Sequence, residues 1–239
     1  MKYYFITGTS SGIGQALTTE LLKQNDVRVF GIARRQNLLD ENYVPVPLNL
    51  AHINEVESFR FPTLENPESI VLINNAGQIG DIKPMGKSNN KAIADLFTVN
   101  VTAVAILMNN FIEKYQDIPT QKIILNVSSG AGKNPIEGWA TYCASKAAVD
   151  LLSLTTFTEQ ERETHPIQIY SVAPGVVDTQ MQESIRNSNE KDFSSHKHFV
   201  ELKANNELTN PTEVAEKYIR ILTNTPDFKA CIFSLRDVN

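Results

Sequence analysis

MKYYFITGTSSGIGQALTTELL (residues 1–22) carries three signals in succession. Tyr3–Thr7 is a short, β-rich apolar run, and Thr7-Gly8-Thr9-Ser10-Ser11-Gly12-Ile13-Gly14 is a glycine-rich turn. Ile13, Leu17 and Leu21 then recur at helical spacing. Glycines permit a tight turn and let backbone N–H groups approach a ligand at a helix N-terminus, where the aligned peptide dipoles favour an anion. The spacing is G-x-x-x-G-x-G rather than the common G-x-G-x-x-G, but the mechanical need is the same: room for a pyrophosphate against the backbone. Gly8, Ser10, Ser11, Gly12, Ile13 and Gly14 are therefore the candidate phosphate cradle.

Working outward, short β-rich runs alternate with longer helical patterns. Further strands are predicted at Val27–Ala33, Val44–Asn49, Ile70–Asn74, Lys122–Ser128, Ile167–Ala173 and Cys231–Leu235. Several are almost continuously apolar, as strands covered on both faces are. The alternation predicts an α/β chain: one Rossmann-type, doubly wound domain over 1–239, with a seven-stranded parallel sheet flanked by helices and joined by right-handed crossovers. The polar stretch Gln182–Asn210 reads as a mobile insertion, giving a loop elaboration at about 178–207 that would choose the substrate.

Composition narrows the function classes. The 239 residues carry 22 Lys+Arg against 27 Asp+Glu, a net charge of −5, and the only adjacent arginines are Arg34 and Arg35. A nucleic-acid surface needs a basic face, so that partner is not expected. Cys143 and Cys231 form neither a zinc spacing nor a disulfide framework and are expected as free thiols. His196 and His198 lack a third ligand, so no metal is expected. No apolar run reaches membrane-spanning length and the N-terminus opens directly on a strand, which points to the cytoplasm and to no membrane partner.

At the end of the second strand a carboxylate would accept adenosine ribose hydroxyls, whereas an arginine tolerates a 2′-phosphate. This chain has Gly31-Ile32-Ala33-Arg34-Arg35 there, which favours NADP(H) over NAD(H). Tyr142-Cys143-Ala144-Ser145-Lys146 places a phenol and an ammonium one helical turn apart, and a nearby cation lowers a phenol pKa toward working pH. A general acid for carbonyl reduction needs such a group. Ser129 follows the strand KIILNV, and Asn100 falls on the apolar stripe of Ile93, Phe97, Val104, Leu107 and Phe111.

TGTSSGIG (7–14), NNAG (74–77), Asn100, Ser129, Tyr142-x-x-x-Lys146 and Pro174-Gly175-Val176-Val177-Asp178-Thr179 resemble the short-chain dehydrogenase/reductase family in order and spacing. NPIEGWATYCASKAAVD (134–150) and APGVVDTQMQ (173–182) are most similar to its sepiapterin reductase and benzil reductase branch. The resemblance implies that Tyr142 donates the proton, Ser129 orients the carbonyl oxygen, Lys146 holds the nicotinamide ribose, and Asn100 anchors a water chain. It further implies cofactor contacts from Asn49, Leu50, Asn74, Ala76, Gly77, Pro174, Gly175, Val177 and Thr179. Asn49 stands where most members have Asp, Ser11 where NADPH-preferring relatives often carry a base, and Phe233 where sepiapterin reductases hold the pterin by an aspartate, with Asp237 close by. Trp139, Met181 and Phe193 are candidate pocket walls. The expected activity is NADPH-dependent reduction of a ketone, diketone or aldehyde by a homodimer or homotetramer. Its rivals are a sepiapterin-type pterin reductase, an NAD-dependent alcohol dehydrogenase and a non-catalytic NADP(H) sensor.

Overall fold

A computed structural model describes residues 1–35 and 38–238. Seven strands form one sheet: β1 (Lys2–Thr7), β2 (Val27–Ala33), β3 (Tyr43–Pro47), β4 (Ser69–Asn74), β5 (Gln121–Val127), β6 (Gln168–Ala173) and β7 (Ile232–Ser234). All neighbours pair in parallel, in the order β3-β2-β1-β4-β5-β6-β7. The predicted strands shift by no more than two residues at either end. The third stops at Pro47 instead of Asn49. Pro45 and Pro47 lack amide hydrogens, and β3 tolerates them because it lies at the sheet edge.

Helices cover both faces. On one, α1 (Gly12–Leu22) packs beside α8 (Pro211–Thr223), and Leu17, Leu21, Val214, Tyr218 and Ile221 are buried against Ile6, Val29 and Ile73. On the other lie α2 (Ile53–Ser58), α4 (Ala103–Tyr115) and α5 (Ala140–Gln160), whose Val56, Leu107, Phe111 and Val149 meet Phe5, Leu72 and Ile124. Apolar contact on both faces explains why β4, Ser-Ile-Val-Leu-Ile-Asn, is buried at every position. α3 (Asn90–Phe97) runs into α4 through a π-helical turn, Thr98–Thr102. The continuous helix Asn90–Tyr115 is long and apolar enough, by length and composition, to cross a membrane, contrary to the reading that no such run exists. One face of it packs into the core, where Val104, Leu107, Met108, Phe111 and Tyr115 join the sheet cluster. The π turn also interrupts the predicted stripe, so that Leu96 is fully buried while Ile93 and Phe97 are half-buried.

The predicted mobile insertion folds into two short helices, α6 (Gln180–Arg186) and α7 (His196–Ala204). Its few apolar residues explain this correction. Ile185, Phe193 and Phe199 bury themselves around Trp139, with Trp139 and Phe193 stacked at 5.3 Å between centroids. His196 Nε2 bonds the Arg186 carbonyl at 2.8 Å and so links the two helices. Cys143 and Cys231 are both free thiols.

Candidate active site

The order of strands reverses between β1 and β4, and in open α/β sheets ligands bind at that point, beyond the carboxyl ends of the strands. Thr7 and Asn75 build the junction. Thr7 Oγ1 accepts from the Asn75 and Ala76 amides, each at 2.9 Å, and Asn75 Nδ2 donates to the Thr7 carbonyl at 2.9 Å. The glycine turn is thereby tied to the end of β4. Gly8 and Gly12 take positive φ, 76° and 56°, which L-residues other than glycine rarely adopt. Ser11 is the N-cap of α1, yet no side chain caps the helix and its first turn holds no acid. Its amides thus face the cleft uncompensated, a setting suited to a pyrophosphate.

The cleft that opens there measures about 1150 Å³. Of the predicted cofactor residues, Gly8, Ser10, Ser11, Gly12, Ile13, Arg34, Arg35, Asn49, Leu50, Ala76, Gly77, Pro174, Gly175, Val177 and Thr179 line it. Gly14 does not; it lies beneath the turn, where a Cβ would collide with the Gly8 carbonyl. Asn74 also lies off the wall. Its Nδ2 donates 2.8 Å to Asn126 Oδ1 on β5, inside the sheet, and the neighbouring Asn75 reaches the cleft instead.

Ser129, Tyr142 and Lys146 share this cleft. Ser129 caps the short 3-10 turn Gly130–Gly132, its Oγ accepting from the Ala131 amide at 3.2 Å. Tyr142 and Lys146 stand one turn apart on α5, with Lys146 Nζ 5.8 Å from the phenol ring centroid. Burial pushes the Tyr142 phenol up to about 12; the Ser129 hydroxyl bonded to it works the other way, and Cys143 adds a small rise. The expected depression of this phenol by Lys146 is therefore not seen. Burial also drives the Lys146 ammonium down to about 8, and its Nζ is engaged at 2.8 Å by the Val127 carbonyl. The result is a protonated phenol beside a weakened cation.

Asn100 is buried behind this pair on the π turn, a device often found at functional sites. Its Oδ1 accepts from the Gln78 amide at 2.9 Å, and its Nδ2 donates to the Gln78 carbonyl at 2.8 Å and to Ser145 Oγ at 3.2 Å. A Cβ on Gly77 would stand 3.5 Å from Asn100 Oδ1 and 3.7 Å from Lys146 Nζ, so both groups border the same stretch of backbone.

Trp139 and Met181 line the cleft, Trp139 edge-on to Tyr142 at 5.7 Å and Met181 Sδ 4.0 Å from the Tyr142 hydroxyl. Phe193 lies behind Trp139 rather than on the wall. Ile79, Ile136, Ile185 and Phe199 complete an apolar side that the sequence reading did not single out. Their polar surroundings in sequence hid them; only the helical spacing of Ile185 after Met181 offered a signal.

Residues 2–190 match the family model described as short chain dehydrogenase. The chain is 36% identical to a benzil reductase ((S)-benzoin forming) of Bacillus cereus, over 95% of this chain and 96% of that one. It is 30% identical to a sepiapterin reductase of Bos taurus, over 68% of this chain and 60% of the other. A short chain dehydrogenase/reductase structure from Saccharomyces cerevisiae superposes with a TM-score of 0.86 at 24% identity, covering 100% of this chain and 97% of its own.

Proposed function

The chain belongs to the short-chain dehydrogenase/reductase family of oxidoreductases, which use nicotinamide cofactors, and from that premise we propose that it is an NADPH-dependent reductase of ketones and diketones. The observation that carries this reading is the meeting of Ser129, a protonated Tyr142 and Lys146 in one cleft with the uncapped, acid-free N-terminus of α1. A bound reduced nicotinamide supplies the hydride. The Tyr142 hydroxyl donates the proton to the carbonyl oxygen as charge develops on it, while the Ser129 hydroxyl orients that oxygen. The Lys146 ammonium would hold the ribose hydroxyls of that cofactor and stabilises the phenolate left behind. Asn100, bordering Gly77 with Lys146, belongs to the route by which solvent returns the proton. Pro174, Gly175, Val177 and Thr179 line the part of the cleft that would hold the nicotinamide, and Asn49 and Leu50 would hold the adenine.

An apolar carbonyl compound suits the remaining wall better than a pterin does. Phe233 lines the cleft, stacked on Phe228 at 5.6 Å, and the nearby Asp237 accepts from the Ser234 amide at 3.3 Å. The test is to follow the absorbance of NADPH with benzil, other diketones, simple ketones and sepiapterin. Oxidation with the diketones is the expected result; no oxidation with any of them would leave a cofactor-binding protein without turnover.

NADPH preference rests on Arg34 and Arg35, both exposed at the tip of β2 and both lining the cleft. Charge-assisted bonds from a guanidinium to a 2′-phosphate predict that Arg34→Ala weakens NADPH by roughly 10- to 100-fold and NADH by about twofold or less. Fluorescence titration of both nucleotides reads this directly, and equal losses would remove the arginine from cofactor choice.

A further inference from the structure

Beneath the catalytic pair lies a buried carboxylate that the chemistry above does not use. Asp150 follows Lys146 by one turn of α5 and is 7% exposed. Its Oδ1 accepts from Ser128 Oγ at 2.6 Å and from Ser171 Oγ at 2.7 Å, one hydroxyl just beyond β5 and the other within β6. Gly132 makes room on its other side: a Cβ there would stand 2.9 Å from Asp150 Oδ2 and 3.0 Å from the Lys146 carbonyl carbon. A carboxylate with two short hydroxyl bonds is held in one place, and at the nearly buried floor of the cleft its charge is screened less than it would be in water. Among the described residues Lys146 forms no ion pair; its one hydrogen bond goes to a neutral carbonyl.

We propose that Asp150 is a positioning residue that keeps Lys146 charged, as the fixed counter-charge the buried ammonium would otherwise lack. The proposal rests on the reading of Lys146 as the cation that holds the cofactor. Desolvation brings the lysine down to about 8, and Asp150 is the group opposing that fall. The other titratable groups around the pair are Tyr142 on α5, Tyr218 on α8 and Cys231 just before β7. The two tyrosines and the cysteine are all raised by burial, Tyr142 and Cys231 to about 12, so each stays neutral through the working range. Lys133, Arg34, Arg35, Arg236 and Asp237 also line the cleft, exposed to solvent, and two half-buried carboxylates line it with partners of their own, Asp95 with Lys91 at 2.6 Å and Asp81 with the Asn89 amide at 3.0 Å. Asp150 is thus the buried charge on which the ammonium depends.

The sign follows. Lys146 is charged below its pKa and neutral above it, so cofactor affinity and turnover fall as pH rises through that value. Removing the carboxylate lowers the pKa and moves the fall to lower pH. Asp150→Asn, which can still accept from both serines, should shift the alkaline limb of NADPH affinity down by about one pH unit, and the limb of kcat/KM with it. Asp150→Glu, which keeps the carboxylate, should leave the limb close to the parent's, and Asp150→Ser, neutral and small, should repeat the shift. Affinity is measured by fluorescence titration across pH and requires no turnover, so a failed substrate panel would not be mistaken for failure here. A limb left in place, with affinity reduced equally at every pH or not at all, overturns the proposal. So does failure of both neutral variants to fold, which would assign Asp150 to the core and not to Lys146.

Discussion

Tyr142→Phe should lower kcat for ketone reduction by about 1000-fold or more and leave NADPH affinity within about threefold of the parent. The estimate combines two losses. A general acid contributes roughly 100- to 10,000-fold, and the same hydroxyl is a donor to the developing oxyanion. The fold should hardly register the change. The ring keeps its edge-on contact with Trp139 at 5.7 Å, and the hydroxyl gives up only the Ser129 bond and a 4.0 Å approach to Met181 Sδ. Ser129 retains the Ala131 amide as a partner, so the substitution strands no buried group. Stopped-flow turnover and a nucleotide titration separate the two effects. Reductase activity within tenfold of the parent would sink the assignment of Tyr142 as proton donor.

The parts of the site that sequence alone disclosed are those whose chemistry is local. The glycine turn, the tyrosine and lysine one turn apart, and the arginines ending β2 each depend on spacing within one or two elements, and spacing is visible in a string. The strands were legible for the same reason, since apolar runs on a doubly covered sheet stand out from their helical neighbours. Where several elements had to meet, sequence fell short. Either asparagine of Asn74-Asn75 can serve a motif, but only the strand end decides which one faces the crevice, and a strand buried at every position carries no alternation to show it. The π turn at Asn100 inserts a residue into a helix whose apolar spacing reads as unbroken. The helices α6 and α7 hold so few apolar residues that their burial around Trp139 emerges only in three dimensions. Asp150 was invisible for a further reason: its serine partners come from distant segments, one just beyond β5 and one in β6, and aspartate in a long helix ordinarily faces water.

Gly14→Ala should weaken NADPH by about 100-fold and lower the stability of the unbound protein by about 1–2 kcal/mol. In an ordinary helix this change stabilises by roughly 0.5–1 kcal/mol, because glycine loses more backbone entropy on folding than alanine. Two neighbours reverse the sign here. A Cβ at Gly14 would collide with the Gly8 carbonyl and with Asn75 Nδ2, and neither can give way cheaply. The first is backbone in a turn already at positive φ, and the second is fixed by its bond to the Thr7 carbonyl at 2.9 Å. Relief must come from lifting the turn off α1, which displaces the amides that would meet the pyrophosphate. Overpacking of this kind costs about 1–3 kcal/mol, more than the helix propensity returns. Gly130→Ala serves as the control for stability, since its Cβ would enter open space with nothing within 4 Å. Calorimetric melting of both variants and titration of Gly14→Ala with NADPH check the prediction. A Gly14→Ala protein that melts above its parent and binds NADPH within about threefold would show that the turn does not need its close approach to α1.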